Sequence, residues 1–262
     1  MTVELRKPTR VLHVFVALLA VACGREPAPT PAPPLNVAVA ANFSATQDAL
    51  AKRFTEMTGT EVVPSVGSTG QLFAQIQNGA PFHVFLSADQ ERPQQLEAAG
   101  LAVPGSRFSY AEGRIALYGP GLDSVRADGA DLKDHPDAKV AVANPATAPY
   151  GAAAMAALEK LGMLEQVRPR IVQGESIAQT EQFVRSGSAE LGFLALSQVI
   201  HEPAAKYWLV PRELHPPILQ DAVLLEAGRE HPAAQAYLDF LKSDEGRRII
   251  EGDGYSVPVA GG

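Results

Sequence analysis

Along the chain, short apolar runs alternate with polar turns and with stretches whose apolar residues recur three or four positions apart. Leu35 to Ala41 (LNVAVAA) has the length of a strand. Leu50, Phe54 and Met57 then fall at i, i+4 and i+7, between the capping-box spelling Ser44-Ala45-Thr46-Gln47 and a stop at Gly59, which predicts a helix. Glu61 to Val66 is the next strand, and Ser68-Thr69-Gly70-Gln71 spells the box again before Leu72, Phe73 and Ile76 and a stop at Gly79. Phe82 to Leu86 makes a third strand, with Ser87 or Asp89 as cap of a helix that ends near Gly100.

The later part repeats the alternation. Lys139 to Ala143 predicts a strand whose following turn, Asn144 to Pro149, delivers Tyr150-Gly151 to an alanine-rich helix stopping near Gly162. Arg170 to Gln173 reads as extended and precedes a third box, Ser176-Ile177-Ala178-Gln179, with a helix to Gly187. Leu191 to Leu196 and Tyr207 to Val210 are further strands, and His231 to Gly252 is helical with a break near Ser243-Asp244. Alternating strands and helices predict an α/β fold of parallel sheets covered on both faces, in which ligands collect beyond the carboxyl ends of strands. Phe108 to Tyr118 is long for one strand, and Ile218 to Leu225 mirrors it. If both cross between lobes, lobe 1 comprises residues 36–115 and 222–258, lobe 2 is 116–221, and a cleft lies at a two-segment hinge.

The first residues form a separate object. Arg6, Lys7 and Arg10 precede the apolar run Val11 to Ala22, the order of an export signal and too short a run to span a bilayer comfortably. The run ends in Leu19-Ala20-Val21-Ala22-Cys23-Gly24, which resembles a bacterial lipoprotein signal. This predicts a signal peptide over 1–22, lipidation of Cys23 and a stiff Pro/Ala tether over 23–34. Cys23 is the only cysteine, so an intrachain disulfide and a cysteine metal cluster are excluded.

With 262 residues, 46% of them hydrophobic, the chain is long enough to bury a large core. Its net charge of −7 becomes −9 without residues 1–22, which hold three basic and one acidic side chain. So acidic a chain points away from a nucleic-acid partner, and an anionic ligand would need short-range dipoles rather than long-range attraction.

Enzymatic readings find little support. Gly67 to Gly70 lacks the lysine and spacing of a phosphate loop, and no G-x-S-x-G elbow occurs. His83, His135, His201, His215 and His231 are scattered without metal-ligand spacing, so no metal site made of direct protein ligands is expected. What remains is a set of helix starts. Each leaves up to four N–H groups without intrahelical partners and carries about half a positive charge, so several together form an anion site without Lys or Arg.

Four segments in order, VAVAANFSATQDALAKRF, VGSTGQLFAQIQNGAPFHVFLSADQERPQQLEAAGL, ANPATAPYGAAAMAALEKLG and SDEGRRIIEGDGY, resemble the molybdate-binding proteins of molybdate ABC importers. That family belongs to the type II periplasmic binding proteins, and the similarity runs from Leu35 to Pro258. The resemblance implies a two-lobe fold, each lobe a mostly parallel sheet flanked by helices, that encloses a tetrahedral oxyanion with N–H groups and hydroxyls. Carried over by position, the ligand-binding residues are Asn42, where other members have Ser, Ser68 and Thr69 in the second turn, Tyr150, and the N–H of Ile177. Some members supply a Tyr from the later strand, where this chain has Ala195, so Tyr150 supplies the phenol instead.

The function so implied is capture of molybdate, with tungstate as second ligand, by a monomeric protein tethered outside the cytoplasm by its lipid. No cofactor is implied, and the partner is a molybdate ABC permease in the cytoplasmic membrane. Sulfate or another tetrahedral oxyanion is the alternative ligand. A hydrolase or transferase using Ser68 or Tyr150 is the alternative class, and the lack of a recognisable general base or cofactor lysine speaks against it.

Overall fold

The structure is a computed structural model that describes Thr2 and residues 32–258. The predicted signal peptide, Cys23 and all but residues 32–34 of the predicted tether therefore lie outside the described residues, save Thr2. Among the described residues, ten strands build two five-stranded sheets. The first contains β1 (Leu35–Ala40), β2 (Val62–Gly67), β3 (Val84–Leu86), β4 (Phe108–Gly113) and β10 (Ile218–Leu224), in the order β2-β1-β3-β10-β4. The second contains β5 (Ile115–Tyr118), β6 (Val140–Ala143), β7 (Ile171–Gly174), β8 (Leu191–Ala195) and β9 (Tyr207–Leu209), in the order β7-β6-β8-β5-β9.

The expectation of mostly parallel sheets needs correction. In each sheet two pairings are parallel and two antiparallel. The parallel pairings belong to strands joined through helices. The antiparallel ones arise where the chain passes from one sheet to the other and comes back. The long run Phe108 to Tyr118 is two strands in two sheets, β4 and β5, parted at Arg114. On the return, β10 lies in the first sheet from Ile218 onward, four residues ahead of the boundary drawn at 222.

Helices cover the sheets: α1 (Ser44–Thr58), α2 (Thr69–Gln77), α3 (Glu91–Ala98), α4 (Ala130–Asp134), α5 (Pro149–Lys160), α6 (Leu164–Val167), α7 (Ile177–Arg185), α8 (Leu196–Val199), α9 (Ala234–Lys242) and α10 (Asp244–Gly252). Around the first sheet, Leu35, Val37 and Val39 of β1 pack with Leu50 and Phe54 of α1 and with Tyr237 and Leu241 of α9. Phe54 meets the Tyr237 ring edge-on at 5.0 Å. Around the second sheet, Val140 and Val142 pack with Ala153, Ala154, Ala157 and Leu158 of α5. The alanines let that helix lie close on its sheet. Met57, counted on the apolar stripe of α1, lies in the last turn of that helix and is 52% exposed.

Candidate functional site

Three of the strand ends run straight into helix starts, and the three capping-box spellings meet different fates. At Ser68 the box is complete: its Oγ accepts from the Gln71 N–H at 3.4 Å, and Gln71 Oε1 accepts from the Ser68 N–H at 3.3 Å. At Ser176 it is half made, with Oγ accepting from the Gln179 N–H while the Gln179 side chain turns to the N–H of Glu175. At Ser44 it does not form. A 3₁₀ turn over Ala41–Phe43 precedes α1, so Ser44 is already helical and its predicted partner Gln47 instead accepts from the Tyr237 hydroxyl at 2.7 Å. The helix start thus moves back to Ala41 and Asn42, directly after β1.

These starts converge. A small cavity is walled by Ala40, Ala41 and Asn42, by Ser68 and Thr69, by Ala88, by Ala148, Pro149 and Tyr150, and by Ile177. The expected residues Asn42, Ser68, Thr69, Tyr150 and Ile177 are therefore all brought together, two sheets contributing to one wall. None of the lining residues is charged. Asn42, Ser68, Thr69, Tyr150 and Ile177 are all buried. The first-turn N–H groups of Thr69, Tyr150 and Ile177 have no intrahelical partner by the geometry of a helix start.

The hydroxyls of this wall are already acceptors within the protein. Ser68 Oγ receives the Gln71 N–H, Thr69 Oγ1 receives the buried Ala88 N–H at 3.1 Å, and the Tyr150 oxygen receives Gln220 Nε2 at 3.2 Å and Asn42 Nδ2 at 3.4 Å. Ser68 and Thr69 each still need a partner for the hydroxyl proton, and beside the Tyr150 proton stands the Tyr255 hydroxyl. Burial raises the Tyr150 pKa well above the ordinary phenol value, chiefly by desolvation, so the group stays neutral and protonated.

Asn42 is tied into a buried side-chain network. Its side-chain amide donates to Gln220 Oε1 at 2.9 Å, to the Tyr255 hydroxyl at 3.1 Å and to Tyr150. These bonds occupy both amide hydrogens within the protein. Tyr255 in turn donates to the Asn42 carbonyl at 2.6 Å and lies 2.9 Å from Ser197 Oγ. Gln220, Tyr110 and Tyr255 complete this buried network and were not anticipated. The signal available was Gln220-Asp221 in the middle of the otherwise apolar ILQDAVLL, since a polar pair inside a buried strand must find partners. Ala195 is fully buried and contributes no phenol.

The two halves also touch above the cavity. The Gly70 N–H donates to the Thr147 carbonyl at 2.9 Å, and Arg92 Nη2 donates to the Ala146 carbonyl at 3.0 Å. Next to the cavity, sharing Ala88 and Pro149 with it, opens a cleft of ≈ 740 Å³ whose walls include Asp89, Glu91, Arg92, Pro216 and Pro217. Among the described residues no group of His, Cys, Asp and Glu is arranged to hold a metal ion.

Comparison with known proteins gives one consistent picture. Residues 35–256 match the family model of bacterial extracellular solute-binding proteins. The chain is 47% identical to the molybdate-binding protein ModA of Azotobacter vinelandii over 226 residues, covering 85% of this chain and 90% of that protein. It is also 47% identical to the ModA of Rhodobacter capsulatus, covering 87% and 90%. Among solved structures, the periplasmic molybdate-binding protein of Azotobacter vinelandii superposes with a TM-score of 0.82 at 39% identity, covering 86% of this chain and all of that one.

Proposed function

The chain belongs to the bacterial extracellular solute-binding proteins, and on that premise we propose that it captures molybdate outside the cytoplasm and delivers it to an ABC permease in the cytoplasmic membrane. It works by binding and release, not by catalysis. The ion is cargo, held through its oxygens, with no protein atom ligating the molybdenum. The observation that carries this reading is the neutral, donor-rich cavity in which the oxygens of Ser68, Thr69 and Tyr150 already accept from the protein.

A fully deprotonated tetrahedral dianion has only acceptors to offer, and such a wall suits it. Hydrogen bonds from neutral donors to a charged partner contribute ~1.5–3 kcal/mol each, so a handful suffices without a formal cation. Hydrogen phosphate brings a proton of its own. A hydroxyl that turned to accept it would leave its own proton unpartnered, a penalty of ~1–3 kcal/mol.

Tungstate has the same charge and shape and is the second ligand. Lipidation at Cys23 would hold the domain, as a monomer, at a membrane surface through the tether 23–34. The division into lobe 1 (36–115 and 222–258) and lobe 2 (116–221) is supported by the two sheets, with the return strand assigned to lobe 1 from Ile218. Competition calorimetry tests the assignment: molybdate and tungstate should displace sulfate, and phosphate should displace neither. Phosphate outcompeting molybdate would refute it.

A further inference from the structure

Beneath the cavity, Gln220 sits fully buried on β10 and touches the site only through other residues. Its Oε1 accepts from Asn42 Nδ2 at 2.9 Å and from the Tyr110 hydroxyl at 3.2 Å, while its Nε2 donates to the Tyr150 oxygen at 3.2 Å. The amide cannot be turned over, because its NH₂ would then face the Asn42 NH₂. Gln220 donates to the Tyr150 oxygen, and Asn42, whose two amide hydrogens serve Gln220 and Tyr255 at shorter distances, reaches it only as a shared third partner at 3.4 Å. Beside the Tyr150 proton stands the Tyr255 hydroxyl, whose oxygen already accepts from Asn42 and whose own proton goes to the Asn42 carbonyl, so it competes weakly with a bound anion. The pair is also held from behind: a Cβ on Gly113, at the crossover from β4, would lie 2.0 Å from the Tyr150 hydroxyl and 2.8 Å from Gln220 Nε2.

We propose that Gln220 is a positioning residue that fixes Tyr150 as a hydrogen-bond donor and thereby sets the preference for unprotonated over protonated oxyanions. The inference rests on the oxyanion-binding reading given above. Gln220 makes no contact with the ligand. It acts by occupying the lone pair with which Tyr150 would otherwise receive the proton of hydrogen phosphate. Remove that donor and the phenol becomes free to turn, leaving only the long 3.4 Å bond from Asn42. Tyr110 retains the Ser87 carbonyl at 3.1 Å and Asn42 retains Tyr255, so the rest of the network still has partners.

The test is a double-mutant cycle on the full chain, Gln220→Met and Tyr150→Phe singly and together, with molybdate, sulfate and hydrogen phosphate titrated calorimetrically at mildly alkaline pH. Gln220→Met is expected to raise the affinity for hydrogen phosphate relative to that for the unprotonated dianions by about tenfold. In the Tyr150→Phe background the same change should leave that ratio alone. An equal shift in both backgrounds, or a uniform loss for all three anions, overturns the inference. Should Gln220→Met not fold, Gln220→Glu carries the same test. Its carboxylate takes the Tyr150 proton, so the dianions must lose more affinity than hydrogen phosphate does, and equal or absent losses count against the role. A wild-type protein that binds none of the three anions contradicts the oxyanion reading itself, an outcome separate from an unmoved ratio.

Discussion

Gly70 and Thr147 meet backbone to backbone across the site: the Gly70 N–H donates to the Thr147 carbonyl at 2.9 Å, and a Cβ on Gly70 would lie 3.0 Å from both Cα and Cβ of Thr147. Gly70 lies in the first turn of α2 beside the first sheet, whereas Thr147 lies in the turn between β6 and α5 of the second. The contact therefore joins elements that flank the two different sheets, and if the halves open and close about the cavity it forms on closure. Gly70→Ala should hold them apart by the width of a methyl group and weaken molybdate binding about tenfold, ~1.4 kcal/mol. Thermal unfolding without ligand should barely move, because alanine suits a helix better than glycine. Unaltered affinity, or a collapse of stability, would show that the approach plays no part in closure.

Tyr150→Phe removes one donor and leaves the ring's packing in place. The expected loss is ~1.5–3 kcal/mol of binding, or roughly 10- to 150-fold in Kd. Thr69→Ala should cost at least as much, because it also strips the buried Ala88 N–H of its acceptor, and it should lower stability as well. Calorimetric affinity and thermal melts separate the two effects. Both variants should move both, since Tyr150→Phe likewise strips the buried Gln220 Nε2 of its acceptor.

Arg92 reaches over from α3 to the Ala146 carbonyl while paired with Asp89. It stands in the adjoining cleft and not on the cavity wall. Arg92→Ala should therefore speed release of the ion several-fold, by loosening the turn that Gly70 also touches, with a much smaller effect on the association rate. Stopped-flow release rates check this, and a slower association at low salt would instead assign Arg92 to electrostatic steering.

His215 should contribute to the pH dependence of stability, as should His83, whose pKa burial and His231 also lower. His215 is buried, its Nδ1 lies 2.7 Å from the Pro216 carbonyl, and its Nε2 has no partner among the described residues. Burial, aided by Arg114, Arg212 and Lys160, pushes its pKa below the usual 6.5. A histidine held neutral in the fold contributes stability that is present above 6.5 and is lost as pH falls from there toward the folded value, because the unfolded chain binds the proton first. The melting temperature should decline over that window, and His215→Gln should flatten the decline. A wild-type and a variant profile of identical slope would exclude His215 as a source.

How far the sequence disclosed this arrangement depends on how local each cause is. The strand and helix succession was legible because burial imposes its period residue by residue, as Val37 and Val39 on β1 and Leu72 and Ile76 on α2 illustrate. Ser68 was legible as a cap because both halves of its box lie within four residues. Ser44 misled, since the same S-x-x-Q spelling was overridden by the 3₁₀ turn before it and by Tyr237, which takes Gln47 as its partner from 190 positions away. Gln220 escaped notice for the same reason. Its partners Asn42, Tyr110 and Tyr150 are distant in the chain, and only the folded crossovers bring them together. The antiparallel half of each sheet was likewise hidden, because strand direction at a crossover is set by where the chain returns and not by composition.

A crystal structure of the full chain grown with molybdate, with anomalous data at the molybdenum edge, tests the central claim most directly. A single strong peak should lie in the cavity walled by Asn42, Ser68, Thr69, Tyr150 and Ile177, its oxygens within hydrogen-bond distance of hydroxyls and helix-start N–H groups and of no Lys or Arg. A peak gripped by Arg92, or one elsewhere in the wider cleft, would contradict it.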